Sequence, residues 1–186
     1  MEGEESFVLT IDQGTTSSRV LMIDRDLRVR DIEQREHSQI SLHPGWCEHD
    51  PTEIYNNVVD CLRVICERNN LNASRIKALG ITNQRETTVA IDKASGQPLH
   101  NAIVWLDKRT SIIVKHFEEK LGGNLDAYRE ICGLPVNTYF SGVKMRWLLD
   151  HDPSVKKAEA EGRLLFGTID TWLVYVRNCL TIIIRN

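Results

Sequence analysis

The chain has 186 residues, of which 41% are hydrophobic and 26% charged, with a formal net charge of −3 at pH 7. This composition is typical of a globular domain with enough chain for a sizeable core. The near-neutral charge, without a basic block, excludes an electrostatic footprint for nucleic acid, and no segment has the apolar length that crosses a bilayer.

The first predicted elements are three antiparallel strands. Apolar and polar residues alternate with a period of two over residues 7–12, and further strands are expected at 19–23 and 29–37. Helices and strands alternate after them, which favours a mixed sheet flanked by helices over a purely parallel sheet. The sequence therefore predicts the α/β fold class.

A helix is predicted to begin after Asp50, because Asp50 can cap it, Pro51 suits its first position and Glu53 can complete a capping box. An apolar stripe continues this helix to about residue 68. The later predicted strands span residues 76–82, 87–91, 102–106 and 164–167, and the later helices span 108–121, 125–132, 142–150, 154–162 and 168–177.

The bend between the first two strands is rich in groups that bind phosphate. It combines a carboxylate, a glycine, consecutive hydroxyls and a guanidinium: Asp12, Gly14, Thr15, Thr16, Ser17, Ser18 and Arg19. Hydroxyls and an approachable backbone suit a phosphate, the Arg adds a charge-assisted contact, and Asp12 can hold Mg²⁺ directly or through water. An ordinary polar turn is the alternative, since these residue types also favour turns.

A second group of polar residues follows a buried strand. Arg85 and Glu86 offer donors and an acceptor for the neighbouring hydroxyls of a small polyol, and Trp105, at the end of another predicted strand, can wall its carbon chain. The alternatives are a surface ion pair and a core tryptophan. Adjacent strand residues point to opposite faces, so the pair can act together only if a turn begins at once.

Several segments in the same order resemble the glycerol kinases of the FGGY carbohydrate kinase family. They are residues 12–19, 44–51, 80–88, 101–105, 139–142 and 165–173, and the resemblance runs from about residue 7 to residue 176. It implies an actin-like, ribonuclease-H-like fold in which ATP and glycerol meet between two domains. The reaction it implies moves the γ-phosphoryl group of ATP to the 3-hydroxyl of glycerol.

The resemblance also implies roles for individual residues. Asp12 would lie near Mg²⁺ and the phosphates, which Thr15, Thr16, Ser17 and Arg19 would contact. Glycerol would be bound by Arg85, Glu86 and Tyr139, with Trp105 against its carbons. The aspartate that acts as general base in this family is expected beyond the region covered, so no catalytic residue is assigned in this chain.

The resemblance also sets expectations about domains. Residues 1–178 are expected to form a partial N-terminal kinase domain, followed by a divergent tail at 179–186, with the second kinase domain absent. A fold incomplete at its C-terminus, and little activity of the chain alone, are therefore expected. The alternatives are a kinase for another polyol or sugar and a non-catalytic binding or regulatory fragment.

The cysteines and histidines indicate structural roles. Five cysteines without a C-x-x-C spacing fit thiols in a reducing compartment, and six histidines lack a metal-binding spacing. Together with an acidic start that lacks a secretory signal pattern, these features favour a cytoplasmic location. A homo-oligomer or an association with full-length enzyme is an open expectation.

Overall fold

The computed structural model describes residues 5–176, and the tail predicted for residues 179–186 lies outside them. The described chain forms two compact units. Unit 1 contains residues 5–38, 50–84 and 169–176, and unit 2 contains residues 39–49 and 85–168. None of the helices in the described part is long and apolar enough to cross a membrane.

Unit 1 is a four-stranded mixed sheet covered by helices. The strands and helices of this unit are β1 (Phe7–Gln13), β2 (Ser17–Ile23), β3 (Val29–Glu36), α1 (Pro51–Arg68), β5 (Ile76–Asn83) and α6 (Ile169–Tyr175). The strands lie in the order β3-β2-β1-β5; β1–β2 and β2–β3 are antiparallel, and β1–β5 is parallel. The expected mixed sheet is therefore confirmed.

One face of this sheet and one stripe of α1 form the core of unit 1. Alternate residues of β1 and β2 are buried, as the period-two pattern predicts, and α1 packs on β2 and β3. The buried side chains of α1 recur at helical spacing. The indole Nε1 of Trp172, on α6, donates to the Pro51 carbonyl at 2.8 Å, which ties α6 to the start of α1.

The predicted start of α1 is correct, but its capping box does not form. Asp50 caps the helix by accepting from the Thr52 amide at 2.8 Å. The carboxylate of Glu53 accepts instead from the amide and hydroxyl of Ser38, at 3.1 and 3.2 Å. Glu53 therefore anchors the chain that leaves β3, because the Ser38 donors compete successfully for it.

Unit 2 combines short strands with helices. The elements of this unit are β4 (Glu48–His49), β6 (Val89–Asp92), β7 (Ala102–Ile103), α2 (Ser111–Lys120), α3 (Arg129–Cys132), α4 (Ser141–His151), α5 (Pro153–Ala160) and β8 (Leu164–Gly167). Two antiparallel ladders, β4–β7 and β6–β8, are joined by a bridge between Thr88 and Ile103. Side chains from β6, β7, α4 and α5 form its apolar core.

Several sequence-based expectations in unit 2 are wrong. β4 was not predicted, the helices expected at 108–121 and 125–132 begin only at Ser111 and Arg129, and the strand expected at 102–106 ends at Ile103. Trp105 therefore lies in a turn that follows the strand. The turn is closed by a hydrogen bond of 3.0 Å from the Asp107 amide to the Val104 carbonyl.

A buried ion cluster holds this part of unit 2. The guanidinium of Arg109 is fully buried, within 2.8 Å of Asp107 and 2.7 Å of Glu48. It also lies 3.7 Å from the ring centroid of Trp46. Asp107 in turn accepts from the Cys47 amide at 2.6 Å. Both carboxylates are thus paired, which is the condition under which buried charges are tolerated.

Candidate functional site

The hydroxyl-rich bend is a tight hairpin tip in unit 1. The Gly14 amide donates to the Ser17 carbonyl at 2.8 Å, with Thr15 and Thr16 between them. Asp12 and Arg19 are directly opposed in the β1–β2 register and form an ion pair. The structure therefore brings together all five residues predicted to lie near the phosphates and metal: Asp12, Thr15, Thr16, Ser17 and Arg19.

Buried polar side chains form hydrogen bonds that hold the backbone of the bend. Gln13 is fully buried, and Nε2 of Gln84 donates to its Oε1 and to the Gly14 carbonyl, both at 3.2 Å. Nε2 of His37 donates to the Thr15 carbonyl at 2.9 Å. Burial lowers the pKa of His37, although the bond to Thr15 opposes this, so the ring is neutral at pH 7.

Nothing within residues 5–176 requires a glycine at position 14. Its φ angle is not positive, and an added Cβ would make an ordinary contact of 3.5 Å with the Ser17 carbonyl oxygen. The absence of a side chain instead leaves the backbone of the bend open to an approaching group.

In unit 2, Arg85 and Glu86 lie in a turn that begins as soon as β5 ends. Glu86 has a left-handed backbone with φ of 65°, which is uncommon for a residue other than glycine. The two side chains are thereby released from the alternation of a strand. They form no ion pair with each other, so the surface ion pair considered above is wrong.

The carboxylate of Glu86 is held at the start of α4. Its Oε2 accepts from both the amide and the hydroxyl of Ser141, each at 2.7 Å. The amide is one of the first N–H groups of the helix, which lack partners within it, so Glu86 caps α4. Within residues 5–176, Oε1 of Glu86 has no hydrogen-bond partner. One oxygen is thus fixed and the other is available.

Two aromatic rings lie in the same unit. The rings of Trp105 and Tyr139 are 6.1 Å apart and inclined by 68°. Trp105 is 38% exposed, so the core tryptophan considered above is wrong. Its amide is oriented by a bond of 3.2 Å to the Thr87 hydroxyl. The two rings offer an apolar surface, and the Tyr139 hydroxyl and the Trp105 indole N–H are polar groups at its edges.

The guanidinium of Arg85 is exposed and makes no hydrogen bond or ion pair to any residue of the described range. Unit 2 contains all four residues that are predicted to bind a polyol: Arg85, Glu86, Trp105 and Tyr139. Sequence reasoning missed two residues beside them. Ser141, two residues after Tyr139, holds Glu86, and the fully buried Lys144 donates from Nζ to the Tyr139 carbonyl.

Metal binding by protein side chains alone is not indicated. Over the described range 5–176, no three His, Cys, Asp or Glu side chains form a group that could hold an ion. Asp12 offers one half-exposed carboxylate beside the hydroxyls of the bend, which suits an Mg²⁺ that keeps several waters and binds phosphate oxygens.

A comparison with models of protein families identifies the family of this chain. Residues 7–181 match the model of the N-terminal domain of the FGGY family of carbohydrate kinases. The chain belongs to the FGGY family. Because residues 7–181 cover nearly the whole chain, the match includes both the hairpin of unit 1 and the polar turn of unit 2.

The curated relatives that match this chain include glycerol kinases. Glycerol kinase 2 of Streptomyces coelicolor is 48% identical over 169 residues, which cover 91% of this chain and 33% of the relative. The glycerol kinase of Staphylococcus epidermidis is 44% identical over 171 residues, covering 92% and 34%. The chain thus spans about a third of the length of the curated relatives it matches.

Solved FGGY kinases share the fold. The structure of Plasmodium falciparum glycerol kinase with ADP matches with a TM-score of 0.84 and 37% identity, covering 92% of this chain and 34% of that one. The gluconate kinase of Lactobacillus acidophilus matches with a TM-score of 0.78 at 18% identity, covering 92% and 33%, which shows the fold alone. The expected actin-like class is therefore confirmed.

The attachment of Glu86 to α4 is testable in the isolated chain. Ser141→Ala removes a hydroxyl that donates to a carboxylate, so we expect the free energy of unfolding to fall by about 1.5–3 kcal/mol. Urea denaturation at an unchanged m-value measures this. Ser111→Ala is the matched control, because Ser111 is the exposed first residue of α2, and it should change stability by less than about 0.5 kcal/mol. Equal effects of the two variants would contradict the capping role.

Proposed function

We propose that this chain carries the polyol-binding and phosphate-binding portion of a glycerol kinase, which transfers the γ-phosphoryl group of ATP to the 3-hydroxyl of glycerol. The observation that supports this best is the set in unit 2. A fixed carboxylate with one open oxygen, a free guanidinium and two aromatic rings match a small molecule with adjacent hydroxyls. The sequence identity of 44–48% between this chain and curated glycerol kinases also supports glycerol as the substrate.

Arg85, Glu86, Trp105 and Tyr139 are called the polyol set below, and each of them has a distinct role. Oε1 of Glu86 accepts from glycerol hydroxyls, and Arg85 donates to hydroxyl oxygens. The hydroxyl of Tyr139 provides a further hydrogen bond, and the ring of Trp105 packs on the carbon chain. Because Oε2 is already bonded to Ser141, Glu86 needs no reorganisation to bind its ligand.

Within the hairpin, Thr15, Thr16 and Ser17 donate hydrogen bonds to phosphate oxygens, and Arg19 neutralises their charge. Asp12 is the residue that would hold Mg²⁺, by itself or through water, with phosphate oxygens completing the shell. When bound, the metal supplies charge stabilisation to the transferred group. The ion pair between Arg19 and Asp12 supports a role for both side chains at the same phosphates.

We further propose that the chain on its own turns glycerol over negligibly. Phosphoryl transfer depends on groups gathered around the γ-phosphate, and the chain spans only about a third of its relatives. None of the proposed ligand-binding residues is placed as the general base, whose loss typically costs about 10²–10⁴-fold. The roles assigned above would then contribute to catalysis only within a longer protein.

Two alternative functions are distinguished by different observations. Another polyol or sugar kinase of the family would use the same turn, but a larger sugar would need space around Trp105 and Tyr139. A non-catalytic fragment would bind glycerol and act by associating with a full-length enzyme, which co-elution detects.

A homo-oligomer stays a prediction. A cytoplasmic location is also proposed, and it is supported by four free cysteines in the described part of the chain.

The proposed inactivity of the isolated chain is tested by a coupled assay of ADP release. We expect glycerol-dependent release at least about 10²-fold below that of a full-length glycerol kinase, because no residue assigned a role here acts as the general base. The Streptomyces coelicolor enzyme measured in parallel is the control. Turnover of glycerol by the chain alone at a normal kinase rate would contradict this.

The hairpin is tested in a chimera in which residues 7–176 replace the matching third of the Streptomyces coelicolor enzyme. Combined alanine substitution of Thr15, Thr16 and Arg19 should lower kcat/KM for ATP by about 10²–10³-fold, because charge stabilisation is lost where phosphate charge develops.

Alanine substitution of Thr52 and Arg63, which are exposed on α1, serves as the control and should leave kcat/KM unchanged. The phosphate-binding role of the hairpin is contradicted if the Thr15, Thr16 and Arg19 variant handles ATP as the control does.

A further inference from the structure

Lys144 is the largest fully buried side chain in the described part of the chain, with no exposed surface. It lies on α4, one turn after Ser141, in unit 2. Lysine is almost never fully buried without a partner, because removing an ammonium from water is costly. A buried lysine on an otherwise ordinary amphipathic helix therefore requires a specific role.

The surroundings of Lys144 lead to the polyol set. Its Nζ donates to the Tyr139 carbonyl and lies 6.0 Å from the centroid of the Tyr139 ring. Glu86 and Asp107 are the carboxylates that interact with it electrostatically. Asp107 is already paired with Arg109, whereas Glu86 has one open oxygen. Lys144 thus joins the segment of Tyr139 to the charge of Glu86.

The protonation of Lys144 is sensitive to pH near neutrality. Burial lowers its pKa to about 8, although the carboxylates of Glu86 and Asp107 raise it. A lysine with a lowered pKa is charged below that value and neutral above it. With a pKa of about 8, Lys144 is mostly charged at pH 7 and mostly neutral at pH 9.

We propose that Lys144 is a positioning residue for the polyol: its ammonium holds the Tyr139 segment and balances Glu86, so that Tyr139, Trp105 and Glu86 keep the arrangement that glycerol requires. This rests on the proposed function. Lys144 does not touch the ligand. It acts through the Tyr139 carbonyl and through the field at Glu86, which sets how strongly Oε1 accepts from a hydroxyl.

A purely structural role would have different consequences. If Lys144 only filled space in the core, methionine would replace it well, since the two chains have similar length and methionine has no charge to bury. Stability would then be kept or raised, and substrate affinity would not change selectively. A positioning role predicts a selective loss for glycerol whatever happens to stability.

The test uses the chimera with Lys144→Met, and Arg146→Met as the matched control. Arg146 lies on the same helix, is exposed and pairs with Asp150. At pH 7 we expect Lys144→Met to raise KM for glycerol by about tenfold or more, with KM for ATP changed by less than about twofold. Arg146→Met should change neither constant.

A pH profile separates positioning from packing. In the parent chimera, KM for glycerol should rise as pH increases through about 8, because Lys144 loses its charge there. In Lys144→Met the KM should be high and flat from pH 7 to 9. The inference is overturned if the parent chimera phosphorylates glycerol and Lys144→Met keeps the parent's KM and pH profile.

A second measurement does not depend on activity and uses the 186-residue chain. Limited digestion with chymotrypsin should cut Lys144→Met after Tyr139 or Phe140 several-fold faster than the parent or Arg146→Met, because the segment has lost its anchor. An unchanged rate overturns the inference. Failure of the parent chimera to phosphorylate glycerol would instead overturn the proposed function, and faster digestion of Lys144→Met would then still support the anchoring of Tyr139.

Discussion

The geometry of the candidate polyol site depends on the bond between Glu86 and the start of α4. A carboxylate directly after a strand would normally turn to solvent, but Oε2 accepts from the amide and hydroxyl of Ser141 at 2.7 Å. This contact joins a turn to a helix that lies 55 residues later in the chain. It supports a left-handed residue, whose backbone typically costs about 1–3 kcal/mol, and it leaves Oε1 available.

The two groups of predicted ligand-binding residues follow the same physical principle. In each, buried polar groups from distant parts of the sequence fix the backbone, while the groups that would meet a ligand remain exposed. Gln13, Gln84 and His37 do this for the hairpin of unit 1. Ser141 and Lys144 do it for the polar turn of unit 2. Such supports restrict motion where precise positioning of a substrate contributes most to rate.

The sequence predicted the features that local chemistry controls. Period-two alternation located β1 to β3, and Asp50 with Pro51 located the start of α1. Features that depend on distant partners were not predictable. β4 exists because Glu48 and His49 pair with β7 more than fifty residues later. Glu53 binds Ser38 and not its own helix end. Lys144 was missed because a lysine within a helical pattern usually indicates a solvated face.

The central claim, that unit 2 binds a polyol through a pre-fixed Glu86, is tested most directly by a crystal structure of the chimera with glycerol bound. The account predicts glycerol hydroxyls at about 2.5–3.0 Å from Oε1 of Glu86, Arg85 within hydrogen-bond distance of the same ligand, and Oε2 still bonded to Ser141. Glycerol bound elsewhere, or a Glu86 carboxylate that leaves Ser141 to reach it, would contradict the account.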